Sequence, residues 1–368
     1  MRLATVARPG FVPLSLVLLH AAPLPAQESA AASRVVEVEV PAPSLEHNRV
    51  GTPAVQGAAI YLPPGYGAAA GGRYPTIYML HGIFDDYGVW LEYFDVPALL
   101  DRLIASRTIP PVIVVMPNGG NRYGGGFYRD SPVTGDWSGF VTNDLVTFVD
   151  AGFRTIPRAG GRAIIGHSMG GYGAIHLAME RPGVFAVAYA MSPCCLAPVD
   201  DLGFGNSSWI DARTLSDLAE LERAIQRRDF YVVAAIGVLS AFAPDTLNPP
   251  FFVDFPFEVE RGELVLDEAE YLAYLERFPI ERVGERHIAL RALRALALDY
   301  GTRDQFAHIP AATLAFSRRL GELRVPHRLE VYSGDHREQI RDRLERLVLP
   351  YATSFLDTEQ SGARSRPR

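Results

Sequence analysis

Compact apolar runs bounded by turn residues recur along the chain, at 76–80, 112–116, 162–165, 186–190, 295–298 and 328–332. Runs of this length predict strands buried on both faces, as in a parallel sheet. Two earlier segments add to them. The stretch 35–40 alternates Val and Glu, predicting an exposed strand, and 58–62 predicts a strand stopped by Pro63-Pro64-Gly65. Residues 67–72 form a loop of small residues.

Helical periods fall between the runs, at 97–105, 138–149, 170–179, 310–320 and 338–355. In 138–149, Phe140, Val141, Leu145, Phe148 and Val149 share one stripe. Such repeated alternation predicts an α/β fold: a mostly parallel central sheet, right-handed crossovers and helices on both faces. One interval breaks the rhythm. Between Ser192 and Leu298 lie about a hundred residues, far more than a simple crossover needs. They hold helical patterns at 215–227 and 268–278 and an aromatic, proline-rich stretch at 242–257. This segment (about 200–286) reads as an insertion over the functional end of the sheet, within a single domain spanning 27–356. The polar stretch 357–368 reads as a flexible tail.

The first 26 residues carry Arg2 and Arg8, a short apolar run at 11–19, and small residues closing on Leu24-Pro25-Ala26. This is the pattern of a cleaved signal peptide, so a secreted or periplasmic protein is expected. The run is shorter than the ~20 residues that span a bilayer, so no stable membrane insertion is expected. A net charge of −7, without a basic cluster, argues against nucleic acid as a partner. The two cysteines, Cys194 and Cys195, are adjacent, which suits neither a disulfide framework nor a metal site. They read as small apolar fillers near a strand end, with a vicinal disulfide as the alternative. No His-Glu-x-x-His or comparable ligand set occurs, and no metal or cofactor is expected.

The run 163–165 leads directly into Gly166-His167-Ser168-Met169-Gly170-Gly171, and a helical pattern begins at Gly170. Gly-x-Ser-x-Gly alone is a weak pattern. Between a strand and a helix it is strong, because the chemistry needs that context. A serine on a strained turn projects its hydroxyl over the sheet edge, and flanking glycines let the strand and helix backbones approach. The next amide, that of Met169, then sits at a helix N-terminus, where it can donate to an oxyanion. Ser168 is the candidate nucleophile.

A serine hydroxyl needs a base to take its proton, and behind such an elbow the acid and then the histidine follow in chain order. Downstream stand His176, His287, His308, His327 and His336. His176 lies two helical turns beyond the elbow, His287 falls in the insertion, and His327 opens a strand at the wrong end of the sheet. His336 follows that strand through Ser333-Gly334-Asp335, at the carboxyl edge where open α/β sheets bind ligands. It is the candidate base. For the acid, Asp304 in Gly301-Thr302-Arg303-Asp304 is preferred, because a turn there can aim its carboxylate at an imidazole. Asp299, at the end of the run 295–298, is second. Leu80-His81-Gly82-Ile83 follows an early strand, which makes the amide of Ile83 the candidate second oxyanion donor. Asp85, Asp86 and Trp90 either line the pocket floor or merely complete a loop. Phe242, Phe251, Phe252, Phe255 and Phe257 form either an acyl pocket or, preferably, the insertion's own core.

These residues resemble the esterase D-type branch of the α/β-hydrolase superfamily, which includes S-formylglutathione hydrolases, feruloyl esterases, enterochelin esterases and antigen 85 mycolyltransferases. The resemblance rests on Leu80-His81-Gly82, Val115-Met116-Pro117-Asn118-Gly119, Phe127-Tyr128 to Trp137, Gly166 to Tyr172, Gly301 to Asp304 and Gly334-Asp335-His336. It implies an α/β-hydrolase fold, a triad of Ser168, Asp304 and His336, and oxyanion amides at Ile83 and Met169. The implied activity is hydrolysis of a small-molecule or carbohydrate-linked carboxylic ester through an acyl-enzyme. An acyltransferase of the antigen 85 type, with the same triad, is the alternative, and a non-catalytic carbohydrate- or lipid-binding relative is a remote third. The long insertion, and the lack of the cysteine and tryptophan pattern of the glutathione-thioester enzymes, depart from the branch, so the resemblance does not imply a substrate. The sequence carries no signal for oligomeric state.

Overall fold

The structure is a computed structural model that describes residues 32–67 and 71–358. The expected signal peptide, 1–26, and the tail beyond residue 358 lie outside the described residues. Asp357, expected to begin the tail, is instead tied down by Arg158 (2.9 Å) and Arg294 (2.8 Å).

Eight strands form the main sheet: β1 Arg34–Pro41, β2 Val55–Leu62, β3 Thr76–Leu80, β4 Ile113–Pro117, β5 Arg162–His167, β6 Val187–Met191, β7 Ala295–Gly301 and β8 Arg328–Tyr332. They lie in the order β1-β2-β4-β3-β5-β6-β7-β8. The pairs from β4 to β8 are parallel, and β1 and β2 add antiparallel at one edge. The predicted α/β class, with a mostly parallel sheet, is therefore observed. One expectation fails. The run 328–332 is not buried on both faces: β8 closes the sheet edge and leaves Val331 49% exposed.

Strand residues alternate between two cores although nearly all are apolar. Ile77 and Met79 face the layer formed by α1 (Val96–Ala105) and the C-terminal helical stretch 340–354. Tyr78 and Leu80 face the opposite layer, formed by the stretch 137–152, α2 (Met169–Glu180) and the helix His308–Glu322.

Strand parity also decides the fate of Asp299. It falls in register with Ala295 and Ala297, so it faces residues 340–354, where its carboxylate meets the Arg343 guanidinium. Asp299 is fully buried and Arg343 nearly so, and Asp299 also accepts the Ser192 N–H at 3.1 Å. The second-choice acid is thus a core ion pair. Removing one partner strands a buried charge, so Asp299→Ala should cost roughly 3–5 kcal/mol. The double change Asp299→Leu with Arg343→Met should recover most of it. Urea unfolding of wild type and the two variants checks this, and an undiminished midpoint for Asp299→Ala would contradict it.

The insertion follows β6 and is largely helical: α3 (Ser208–Thr214), α4 (Leu218–Arg227), α5 (Phe230–Phe242), α6 (Glu268–Leu275) and α7 (Pro279–Arg291), with a hairpin of Phe257–Glu260 and Glu263–Leu266. The predicted helices 215–227 and 268–278 are present. Helix α5 was not predicted, because a helix apolar all round has no stripe to betray its period.

Candidate active site

The sheet order reverses between β3 and β5, so the loops leaving their carboxyl ends diverge and open a crevice. Both loops carry candidate residues. Ser168 occupies the turn from β5 into α2 with φ +57° and ψ −116°, a conformation non-glycine residues rarely adopt. Backbone bonds hold it there: Ser168 N–H donates to Met191 O (3.0 Å), and Cys194 N–H donates to Ser168 O (3.2 Å). The turn needs its glycines. A Cβ on Gly166 would lie 2.1 Å from Gly170 O, and one on Gly170 would lie 2.1 Å from Leu80 O.

Met169 opens α2, so its N–H has no intrahelical acceptor. Ile83 lines the same pocket as Ser168, and among the described residues no carbonyl takes up its N–H. The loop carrying Ile83 is fixed by His81, which is fully buried. His81 Nε2 accepts the Gly119 N–H (2.8 Å), which leaves Nδ1–H to donate to Gly82 O (2.8 Å). Burial lowers the pKa of His81, in keeping with this neutral form.

His336 stands beyond β8 and Asp304 beyond β7, and the structure brings them together. His336 Nδ1–H donates to Asp304 Oδ2 at 2.8 Å, and both side chains are buried. Asp304 Oδ1 accepts the Phe306 N–H (3.0 Å), while the Phe306 ring packs edge-on against His336 with centroids 4.9 Å apart. Burial pushes Asp304 up to about 6 and, helped by Arg337 and His308, holds His336 down to about 3. At neutral pH the imidazole is uncharged, with its lone pair on Nε2 because Nδ1 carries the proton.

Sequence reasoning overlooked His167, which links the two halves of the site. Its Nε2–H donates to His336 O (2.9 Å), and the two rings lie 4.4 Å apart. Its place beside the nucleophile was the available signal. Asp85 pairs with Arg337 next to His336, Asp86 accepts the Gly88 N–H, and Trp90 packs on Phe94; none of the three lines the pocket. His176 is packed against Tyr172, His287 Nδ1–H donates to Gly284 O within α7, and His327 pairs with Ser317.

The pocket at Ser168 is small, about 40 Å³, and nearly all apolar. Its walls include Phe230, Tyr231 and Val238 of α5, together with Phe127, Phe306, Cys194 and Cys195. Both cysteines are free. The aromatics at 242–257 take the preferred of their two readings and pack in the insertion's core rather than line the pocket: Phe242 stacks on Phe278, and Phe257 packs on Phe204. The wall is anchored by Asp201, which accepts from His308 Nδ1–H (2.8 Å) and Tyr231 O–H (2.6 Å). Burial alone would raise Asp201, but these bonds outweigh it and hold its pKa at about 2. His308 Nε2, buried at this wall, has no hydrogen-bond partner among the described residues.

Among solved structures, a ferulic acid esterase matches with a TM-score of 0.61 and 22% identity, over 89% of this chain and 99% of its own. An S-formylglutathione hydrolase from Agrobacterium tumefaciens matches with a TM-score of 0.57 and 17% identity, over 90% and 99%. Sheet order, elbow and these likenesses define an α/β-hydrolase fold. The chain matches the family described as Putative esterase over residues 55–340, and it belongs to that family, as its motifs implied. Esterase Rv1288 of Mycobacterium tuberculosis is 31% identical over 242 residues, 58% of this chain and 50% of that protein. The chain thus spans about half the length of the curated relatives it matches. Among the described residues no helix is long and apolar enough to cross a membrane.

Proposed function

We propose that this protein is a serine carboxylic-ester hydrolase working through an acyl-enzyme, with Ser168, His336 and Asp304 as its triad. The observation that carries the reading is the backbone of Ser168. A serine held at positive φ costs of order 1–3 kcal/mol and persists where the surroundings enforce it, as at a nucleophile. The buried His336–Asp304 pair at the same edge supplies a neutral base. In this scheme Ser168 Oγ bonds to the ester carbonyl carbon as His336 Nε2 takes its proton. The amides of Ile83 and Met169 hold the oxyanion, each worth roughly 3 kcal/mol. The alcohol leaves with the proton from His336, and water then repeats the sequence to release the acid. The leader pattern at 1–26 supports a secreted or periplasmic location.

The pocket's small volume supports a short acyl group, and the ferulic acid esterase likeness supports adding an aryl acid to the test. Hydrolysis of p-nitrophenyl acetate, butyrate, octanoate and palmitate, with methyl ferulate, by wild type and Ser168→Ala tests the proposal. Acetate or butyrate should be the best aliphatic substrate, with free acid as product. Phe230→Ala, which trims the pocket wall, should shift the optimum to longer chains by about tenfold in relative kcat/KM, on the order of 1.4 kcal/mol. A palmitate optimum in wild type would refute the pocket assignment.

A further inference from the structure

We infer that a second binding site, for a small ligand bearing a phosphate or sulfate group, lies between the insertion and the far end of α2. A cavity of about 340 Å³ opens there, lined by Arg129, Arg181, Arg277 and Arg282 with His176 and Ser138. His176 stands eight residues beyond Ser168 on α2, on the order of 12 Å along the helix axis, so the site is separate from the triad.

Arg129 carries the argument. It is 92% buried, and among the described residues it forms no ion pair. Its Nη1 donates to Tyr172 Oη (3.3 Å) and to Arg277 O (3.1 Å), and its guanidinium lies 4.8 Å over the Phe242 ring. Its Nε has no acceptor among the described residues. Buried charges in proteins are paired or hold a ligand. Among the described residues the side chain of Arg277, across the same cavity, also has no carboxylate partner, and no hydrogen bond. Burial and the neighbouring charges of Arg129 and Arg282 lower its pKa.

Two carboxylates, Glu180 and Asp130, also line the cavity but form no ion pair with Arg129 or Arg277 among the described residues. Glu180 is engaged by Arg282 (2.8 Å) and Arg286 (3.2 Å), and Arg181 pairs with Asp136 (3.3 Å). Asp130, an exposed residue of the cavity, forms no ion pair among the described residues, and burial together with Asp136 raises its pKa. Two guanidiniums without carboxylates, facing one polar cavity, match the forked recognition of a tetrahedral oxyanion. The volume sits at the lower end of the roughly 300–1,000 Å³ that small-molecule ligands occupy, so a sugar-sized molecule carrying the anionic group fits. Arg277 and Arg282 belong to the insertion, while Arg129, Ser138 and His176 belong to the body. A bound anion therefore pins one to the other.

The test is isothermal titration calorimetry at constant ionic strength, with sodium phosphate, sodium sulfate and glucose 6-phosphate as probes. Wild type should bind at least one of them saturably, and Arg277→Gln should weaken that binding at least tenfold. Retained ester hydrolysis shows that the variant is folded, and Arg181→Gln at the rim serves as the second variant. Tighter binding of glucose 6-phosphate than of phosphate identifies a phosphorylated small molecule as the ligand, and the reverse identifies the free ion. If wild type binds no probe saturably, or if both variants match it, the inference is overturned.

Discussion

Ser168→Ala should lower kcat for p-nitrophenyl acetate by on the order of 10⁴-fold or more while leaving the protein folded. The residual rate would come from substrate binding and the oxyanion amides alone. Folding should survive because Ser168 makes no side-chain capping bond to α2, and its backbone bonds are untouched. The Cys195 thiol should not substitute as nucleophile. Cys194 and Cys195 line the same pocket, but burial pushes the Cys195 thiol well above its ordinary value, and the thiolate is the reactive form. Steady-state kinetics on purified variant, free of wild-type carry-over, decide the matter. A loss smaller than tenfold would remove Ser168 from the mechanism.

The second large effect concerns Asp304. Asp304→Asn should reduce kcat by roughly 10⁴-fold, because an amide no longer fixes the imidazole proton on Nδ1 and the lone pair on Nε2 is lost. The pH profile carries a sign that tests the same bond. Burial raises Asp304 from 3.8 to about 6, whereas His336 titrates lower, at about 3. As pH falls, the first proton therefore goes to the pair through Asp304, and the bond that orients His336 is lost. Wild-type kcat/KM should fall on the acid side with a midpoint near 6, and that limb should vanish from the residual activity of Asp304→Asn. Stability should run the other way. A raised folded pKa means that the contribution of Asp304 is full below its ordinary value and is lost as pH rises through 6. The melting temperature of Asp304→Asn relative to wild type should therefore be higher at pH 8 than at pH 4. A relative gain at pH 4 instead would reverse the assignment.

The strands were legible because burial on both faces leaves a composition signal, and their ends moved by at most three residues. The Ser168 elbow, and the positions of His336 and Asp304 after successive strands, follow from one rule about the carboxyl edge of a parallel sheet. The choice of Asp304 over Asp299 rested on the turn after the strand, while the burial of Asp299 in the core follows from strand parity, which a run of uniformly apolar residues hides. What the sequence concealed was the pocket wall. Phe230 and Tyr231 come from one segment and Phe306 from another, and only the fold of the insertion brings the first two to Ser168. The ion pair of Arg343 with Asp299 and the bond of His167 to His336 were equally hidden, since each joins residues far apart in the chain.

Helix α5 sets a limit on how substrate enters. Val233, Ile236, Val238, Leu239 and Phe242 are all buried along it. Returning each to water costs roughly 1.5–3 kcal/mol, about 8–15 kcal/mol together, which equals the stability of an ordinary domain. A hinged swing of the whole insertion would return to water whatever part of this surface packs on the body, such as the face of Phe242 against Phe127 and Tyr172, and is the costly route. Rotation of a few half-buried side chains at the start of the helix is the cheaper one. Phe230 is the foremost of these, since it borders both the pocket at Ser168 and an outer cavity shared with Phe84 and Ile225. Turnover should then be gated by nanosecond-scale ring motion rather than by slow domain opening, and kcat should respond little to solvent viscosity.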